Sequence, residues 1–326
     1  FGWPYFTGGG QKLKLSIAAG DTTRKYQLLF TEPWLMGRPL SFGVELYRKE
    51  KEYTDYDLKR TGGALKLSRK LPGKANRVIF RYELEESVIT DVTDTNVYYY
   101  VDSPERDFTF ERNEDAVKSS LGMTLRHNTY NHFLMPTRGN RLELYTGISG
   151  GVLGFDTDLY EIELSAGRFQ PLWFGHVFSL RASYNVVEEY GDTDEAPFSE
   201  RFFAGGLRSV RGYKYRDVGP KVSRDTVDSS GAVTYYKPVG GRTRALATAE
   251  YTVPVVKMIR LALFYDIGNV WEEAYDFDSE LASGAGVGIR LDFPGFPIKF
   301  DWAWPVEKDD EQTEEDEFSF WIGRDF

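Results

Sequence analysis

Cysteine is absent from this 326-residue sequence, and acidic residues outnumber basic ones by 50 to 40, giving a net charge of −10. Without cysteine the chain has no disulfides, thiolate metal sites or cysteine nucleophiles, which fits a compartment where unpaired thiols would be oxidised. The negative charge argues against a nucleic-acid partner, because phosphates are neutralised by a basic face.

Long hydrophobic runs are also missing, and the mean hydropathy is −0.44. A transmembrane helix needs about 18 or more consecutive apolar residues, so this class of membrane protein is excluded. A transmembrane β-barrel is not excluded, because only every second residue of its strands faces lipid.

Signals for enzyme chemistry are sparse. Histidine occurs only at His127, His132 and His176. No phosphate-binding glycine loop or cluster of metal ligands is present. An outer-membrane phospholipase would need a serine and a histidine on neighbouring strand faces, which spacing alone does not test. We therefore expect no enzymatic activity, no cofactor and no metal site.

Alternating apolar and polar residues recur along almost the whole chain. Leu13, Leu15 and Ile17 alternate with lysine and serine, and about fourteen such runs can be counted. A soluble β-sandwich would show the same alternation, but its second face would not carry so many charges. Charged residues on that face include Glu143, Glu161, Glu163, Arg181, Arg290 and Asp301. The sequence predicts an all-β protein, an antiparallel transmembrane β-barrel whose charged face lines a wet lumen.

Short and long connections alternate between these strands. Short turns contain Pro or Gly, whereas the long segments are polar. This alternation is typical of outer-membrane barrels, which have short periplasmic turns and long external loops. The longest connection spans residues 188–242.

A glycine-flanked arginine motif lies in that connection, within Gly205-Gly206-Leu207-Arg208-Ser209-Val210-Arg211-Gly212-Tyr213. The segment Arg201–Gly219 resembles the sixth-loop motif of the outer-membrane insertase and translocase superfamily, the BamA-like proteins. Stretches 131–139, 248–251 and 264–271 resemble the same superfamily. The resemblance implies that residues 1–326 form the C-terminal part of a sixteen-stranded barrel, with residues 188–242 as an extracellular loop that folds into the lumen. It also implies that two strands and periplasmic POTRA domains precede this sequence, with Phe1–Gly10 as a periplasmic turn.

Strand parity places two carboxylates on the lumen side. Glu250 and Asp266 alternate with apolar residues, so both face inward where Arg211 of a folded-in loop could reach them. The resemblance implies an internal loop lock of Val210, Arg211, Gly212 and Tyr213, held chiefly by Asp266 and also by Glu250. Alternatively, the three charged residues are ordinary solvated lumen charges.

The end of the sequence resembles the C-terminal β-signal of outer-membrane barrels, because four apolar residues share one face: Phe318, Phe320, Ile322 and Phe326. Gly323 would weaken strand packing there and permit a bend. The resemblance implies a loose lateral seam at this strand, although Gly323 could equally serve to accommodate Trp321. The acidic run 307–317 predicts a solvated loop tip, with cation or lipopolysaccharide contact as the alternative.

The function implied by the resemblance is insertion and folding of nascent β-barrel proteins in the bacterial outer membrane. Its implied partners are unfolded outer-membrane proteins, accessory lipoproteins acting through the periplasmic domains, and outer-membrane lipid and lipopolysaccharide. Two alternatives stay open: a two-partner-secretion or other translocation pore of the same superfamily, and a general porin.

Overall fold

The computed structural model describes residues 2–3, 10–53, 56–73, 75–92, 96–109, 115–228, 231–277, 281–293, 296–306 and 317–322. These residues form nineteen strands and four short 3-10 turns. The strands are β1 (Gly2–Trp3), β2 (Lys12–Ala19), β3 (Thr23–Glu32), β4 (Leu40–Glu52), β5 (Asp57–Lys70), β6 (Asn76–Thr90), β7 (Tyr98–Tyr100), β8 (Asp107–Phe108), β9 (Asp115–Asn128), β10 (Gly139–Ser149), β11 (Leu159–Pro171), β12 (Val177–Glu189), β13 (Lys221–Asp228), β14 (Gly231–Pro238), β15 (Thr243–Val256), β16 (Ile259–Trp271), β17 (Ala282–Phe293), β18 (Phe296–Pro305) and β19 (Glu317–Ile322). The 3-10 turns are Leu35–Gly37, Gly151–Leu153, Trp173–Gly175 and Phe198–Glu200.

Fifteen of the strands form one antiparallel sheet, in the order β1-β2-β3-β4-β5-β6-β9-β10-β11-β12-β15-β16-β17-β18-β19. In the described part of the chain, β1 and β19 are its two ends. Fourteen of its strands have six residues or more, which agrees with the number predicted from alternation. The interpretation of Phe1–Gly10 as a turn was wrong at its start, because Gly2 and Trp3 pair with Lys14 and Leu13 as strand β1.

The outer face of the sheet is apolar and exposed, whereas the inner face is polar and buried. On β16, Leu261, Leu263 and Tyr265 are exposed, and the intervening Phe264 and Asp266 are buried. A soluble sandwich would bury the apolar face instead. In a transmembrane barrel, apolar side chains face the lipid and charged side chains face the lumen. The predicted fold class is therefore confirmed. No helix in the described ranges is long and apolar enough to cross a membrane.

A second, four-stranded sheet joins two of the long connections, in the order β14-β13-β7-β8. Strand β13 pairs with β7 through Val222↔Tyr100, and these two side chains are buried in a small core. The sequence predicted both connections as polar loops, the longer of them spanning residues 188–242. Strand structure forms inside both because each contributes aromatic or β-branched residues that neither segment could bury alone.

Candidate functional site

The segment between β12 and β15 packs its arginine motif against the inner face of β16 and β17. Val210 and Tyr213 are buried together with Val270 and Ala282 of those strands. The Tyr213 hydroxyl donates a hydrogen bond to the carbonyl oxygen of Ser283 at 3.1 Å. This apolar contact fixes the loop on both sides of Arg211 and directs its guanidinium toward the sheet.

Gly212 is needed for the close approach of the loop to the wall. Its φ is +94°, in the left-handed region that disfavours side chains. A Cβ at this position would lie 2.6 Å from the carbonyl carbon of Trp304 and 2.8 Å from the nitrogen of Pro305. Both are backbone atoms of β18 that cannot rotate away, so glycine sets how deeply Arg211 enters the lumen.

Arg211 and Asp266 form a bidentate ion pair. Arg211 Nε donates to Asp266 Oδ2 at 2.6 Å, and Nη2 donates to Oδ1 at 2.9 Å. The Arg211 backbone N–H donates to the same carboxylate at 3.2 Å. Asp266 has no solvent exposure, and Arg211 is 5% exposed. The pair is shielded from solvent, and its two parallel hydrogen bonds fix both the position and the orientation of the Arg211 guanidinium.

Glu250 lies near Arg211, but its hydrogen bonds go elsewhere. Its carboxylate is 3.8 Å from Arg211 Nη1, too far for a hydrogen bond, and instead accepts from Arg290 Nη2 at 2.7 Å. The additional hydrogen-bond partner of Arg211 is Asp301 of β18, which accepts from Nη1 at 3.1 Å. Asp301 also accepts from Arg290 Nη1 at 2.6 Å. Sequence reasoning recognised Asp301 and Arg290 as inward-facing charges but did not connect them to Arg211.

Together these residues form an arginine–carboxylate cluster with two cations and three anions: Arg211, Arg290, Glu250, Asp266 and Asp301. Beneath it, the centroid of the Phe264 ring lies 3.4 Å from the guanidinium carbon of Arg211. Arg181 and Lys299 line an adjoining cavity of 240 Å³. Among the described residues, no group of three or more histidine, aspartate or glutamate side chains is placed to hold a metal ion.

The loop has a second attachment that the sequence did not reveal. Glu200, in the 3-10 turn Phe198–Glu200, is bonded to Lys118 of β9 and lies 3.5 Å from Arg60 of β5. Burial would raise the pKa of Glu200, but the charges of Lys118 and Arg60 outweigh it and lower the pKa below its ordinary value. The loop is therefore attached to the barrel wall at two places, through the carboxylate of Glu200 and through the guanidinium of Arg211.

Three of the five predicted seam residues lie on the last described strand, β19. Phe318 and Phe320 project outward, with 66% and 60% of their surface exposed. Ile322 pairs with Ile298 of β18. The Trp321 indole lies under the loop tip, with its ring centroid 4.8 Å from the guanidinium carbon of Arg208. Gly323, Phe326 and residues 307–316 of the acidic run lie outside the described residues.

Comparison with known proteins identifies relatives among outer-membrane assembly factors. The chain is 27% identical to the outer membrane protein assembly factor BamA of Neisseria meningitidis, over 98% of this chain and 44% of that protein. It is 26% identical to the BamA protein of Nitratidesulfovibrio vulgaris, over 91% of this chain and 36% of that protein. The chain thus spans less than half the length of these relatives.

Among solved structures, BamA from Haemophilus ducreyi lacking POTRA domains 1–3 superimposes with a TM-score of 0.82 at 19% identity, covering 98% of this chain and 65% of that one. CdiB from Acinetobacter baumannii gives a TM-score of 0.57 at 14% identity, covering 96% and 53%. Both likenesses show the barrel fold.

Residues 6–326 match the Omp85 superfamily domain. The resemblance predicted from the loop motif is confirmed, as is the predicted location in the bacterial outer membrane. The chain belongs to the Omp85 superfamily.

Proposed function

We propose that this chain is the membrane barrel of an assembly factor that inserts and folds nascent β-barrel proteins in the outer membrane. The proposal is supported by the two bacterial relatives, whose names describe that role and which match more than nine-tenths of this chain. Its clients are unfolded outer-membrane proteins. Accessory lipoproteins would act through periplasmic domains, and lipid and lipopolysaccharide would contact the exposed apolar face.

The observation that carries the proposal is the bonding of Arg211 to β16 and β18 inside the lumen. We assign Val210, Arg211, Gly212 and Tyr213, with Asp266, Asp301 and Glu250, to an internal loop lock. Breaking a buried ion pair by removing one partner costs about 3–5 kcal/mol, so the lock holds the wall beside the last strand in one arrangement.

Among the described residues, strand β19 pairs with β18 from Ile298↔Ile322 to Ala303↔Glu317. In the part of the chain that the structure describes, β18 is its sole partner in the sheet. An edge strand presents backbone N–H and C=O groups that an incoming strand can pair with, which is β-augmentation. We assign Phe318, Phe320, Ile322, Gly323 and Phe326 to a lateral seam where client strands are added.

No covalent step or energy cofactor is needed for this activity. Each added client strand satisfies its own backbone hydrogen bonds and exposes apolar side chains to lipid, so client folding supplies the free energy. The protein's contribution is a fixed template edge at the membrane. We therefore propose a catalyst of folding rather than an enzyme of bond chemistry.

A translocation pore of the same superfamily is the alternative, and the fold does not discriminate against it, because CdiB shares the barrel architecture. A general porin is less well supported. Its lumen would have to pass solutes, whereas this lumen holds the loop and its buried ion pairs.

The test is the folding of a urea-denatured barrel client into liposomes that carry the full-length protein, followed by heat-modifiable gel mobility. We expect faster client folding than in liposomes without it. The Arg211→Ala variant should be slower, whereas Lys214→Ala, at an exposed position of the same loop, should match the unmodified protein. Ion conductance or export of an unfolded substrate without faster client folding would support the pore instead.

A further inference from the structure

A second cavity, of 310 Å³, lies between strands β3 to β6 and the internal loop. We call it the lysine cavity. It is lined by charged and aromatic residues, among them Lys25, Lys49, Lys51, Tyr53, Arg60 and Arg216. None of them takes part in the arginine–carboxylate cluster or the seam.

Three cations lie directly opposite one another across neighbouring strands. Lys25 of β3 pairs in register with Lys49 of β4, and Lys49 pairs with Arg60 of β5. Like charges in directly opposed positions destabilise a sheet. Arg60 is compensated, since Glu85 lies 3.7 Å and Glu200 3.5 Å from its guanidinium. For the two lysines, no carboxylate lies within ion-pair distance among the described residues.

Lys51 and Arg216 add two further positive charges, and their contacts are to tyrosines rather than to acids. Lys51 Nζ donates to the Tyr215 hydroxyl at 2.9 Å. Arg216 donates to the Tyr53 hydroxyl at 3.1 Å and to that of Tyr56 at 3.0 Å. The cavity therefore offers positive charge, and its lining carboxylate, Glu50, lies 2.7 Å from Arg48.

The local potential is positive enough to act on a neighbouring phenol. Burial would raise the pKa of Tyr215, but the hydrogen bond from Lys51 and the charge of Arg216 outweigh burial and lower the pKa below its ordinary value. Anionic groups are thus favoured here, in a chain whose net charge is −10.

We propose that the lysine cavity binds a multivalent phosphate-bearing anion. Lys25, Lys49, Lys51 and Arg216 supply four charges without a carboxylate partner in the described ranges, which suits a ligand with several negative charges in a small volume. A bound phosphate would also remove the cost of the opposed lysines, so binding should stabilise the wall formed by β3 to β5. This site is separate from the assembly function and does not depend on it.

The experiment titrates inorganic pyrophosphate into the purified full-length protein by calorimetry, with chloride used to hold ionic strength constant. We expect saturable binding that weakens at least about tenfold in the Lys25→Gln/Lys49→Gln variant, because charge-assisted hydrogen bonds are lost. The matched control Lys12→Gln/Lys14→Gln changes the same charge on β2, outside the cavity lining, and should bind like the unmodified protein. Without pyrophosphate, the Lys25→Gln/Lys49→Gln variant should unfold at a higher temperature than the unmodified protein, because the repulsion is relieved.

Equal binding by both double variants, or no saturable binding by the unmodified protein, would overturn the proposal. Lys49→Gln alone provides a milder test if the double variant fails to fold. Vesicles containing diphosphorylated lipid A, compared with dephosphorylated lipid A, then identify the source of the phosphate. Competition with pyrophosphate by the phosphorylated form alone indicates a lipid headgroup, and no competition by either form indicates a soluble phosphate.

Discussion

Arg211 of the internal loop and Arg290 of β17 share one carboxylate, that of Asp301, at distances of 3.1 and 2.6 Å. Two guanidinium groups come this close because each also bonds a carboxylate of its own, Asp266 for Arg211 and Glu250 for Arg290. Removing either arginine leaves a buried carboxylate without its cation. The cluster should therefore respond to substitution as a unit.

Arg211→Ala should destabilise the barrel by about 3–5 kcal/mol, because it leaves Asp266 buried without its bidentate partner. The measurement is the urea midpoint of the full-length protein, followed by gel mobility. Lys214→Ala is the control, since its side chain is exposed on the same loop. Equal midpoints for both variants would show that the loop arginine does not hold the wall.

The changes in unfolding free energy caused by substituting Arg211 and Arg290 should not be additive. Each arginine compensates part of the same carboxylate set, so the double variant Arg211→Met/Arg290→Met should differ from the sum of the single variants by about 0.5–3 kcal/mol. The four proteins of the cycle are compared by their unfolding free energies. Strict additivity would mean that Asp301 does not couple the two side chains.

Gly212→Ala should displace the loop, because the new methyl group would press on the backbone of Trp304 and Pro305. Gly154→Ala is the matched control, with a φ of +73° and no atom within 4 Å of its Cβ position. The control carries the left-handed backbone strain alone, about 1–2 kcal/mol. The difference between the two variants in unfolding free energy measures the close contact. Equal losses would indicate that the loop can move outward at no further cost.

The fold was predictable because alternate residues of a barrel strand face lipid and the lumen, so apolar and polar residues alternate in the sequence. Asp266 and Glu250 could be assigned to the lumen side by parity alone, and the loop motif supplied Arg211 by resemblance. Asp301 has the same parity, yet its contact with Arg211 was not predicted. Alternation states which face a residue occupies but not the depth at which a loop reaches it, and here the loop lies across β16 to β18.

Contacts that depend on strand register also could not be predicted from the sequence. The opposed lysines, Lys25 and Lys49, become neighbours only when β3 and β4 pair in one particular register, which is determined by backbone geometry. The second sheet is similar, since β13 and β7 are more than a hundred residues apart in the chain. Neither strand contains a signal that identifies its partner.

Gly284 of β17 lies close to the backbone of the internal loop, and nothing in the sequence indicates this contact. A Cβ there would collide with the backbone oxygen of Arg211. Gly284→Ala should therefore weaken the loop lock and slow client folding, in the same direction as Gly212→Ala. Gly43→Ala is the control, because its Cβ would make ordinary contacts of 3.5 and 3.6 Å. Client folding at the unmodified rate in Gly284→Ala would show that the loop contact is not required for activity.

Arg208 links the loop tip to the last strand, because its guanidinium carbon lies 4.8 Å from the centroid of the Trp321 ring. A cation–π contact at an exposed position contributes about 0.5–1 kcal/mol, so Arg208→Ala should raise the opening equilibrium of β19 by roughly two- to fivefold. Hydrogen–deuterium exchange of a peptide covering Glu317–Ile322 measures that change, with a peptide from β5 as the internal reference. Arg168→Ala, at an exposed arginine of β11, should leave exchange in β19 unchanged. Faster exchange in β19 alone would mean that loop position and seam opening are coupled through this pair, whereas unchanged exchange would mean that the last strand opens independently of the loop.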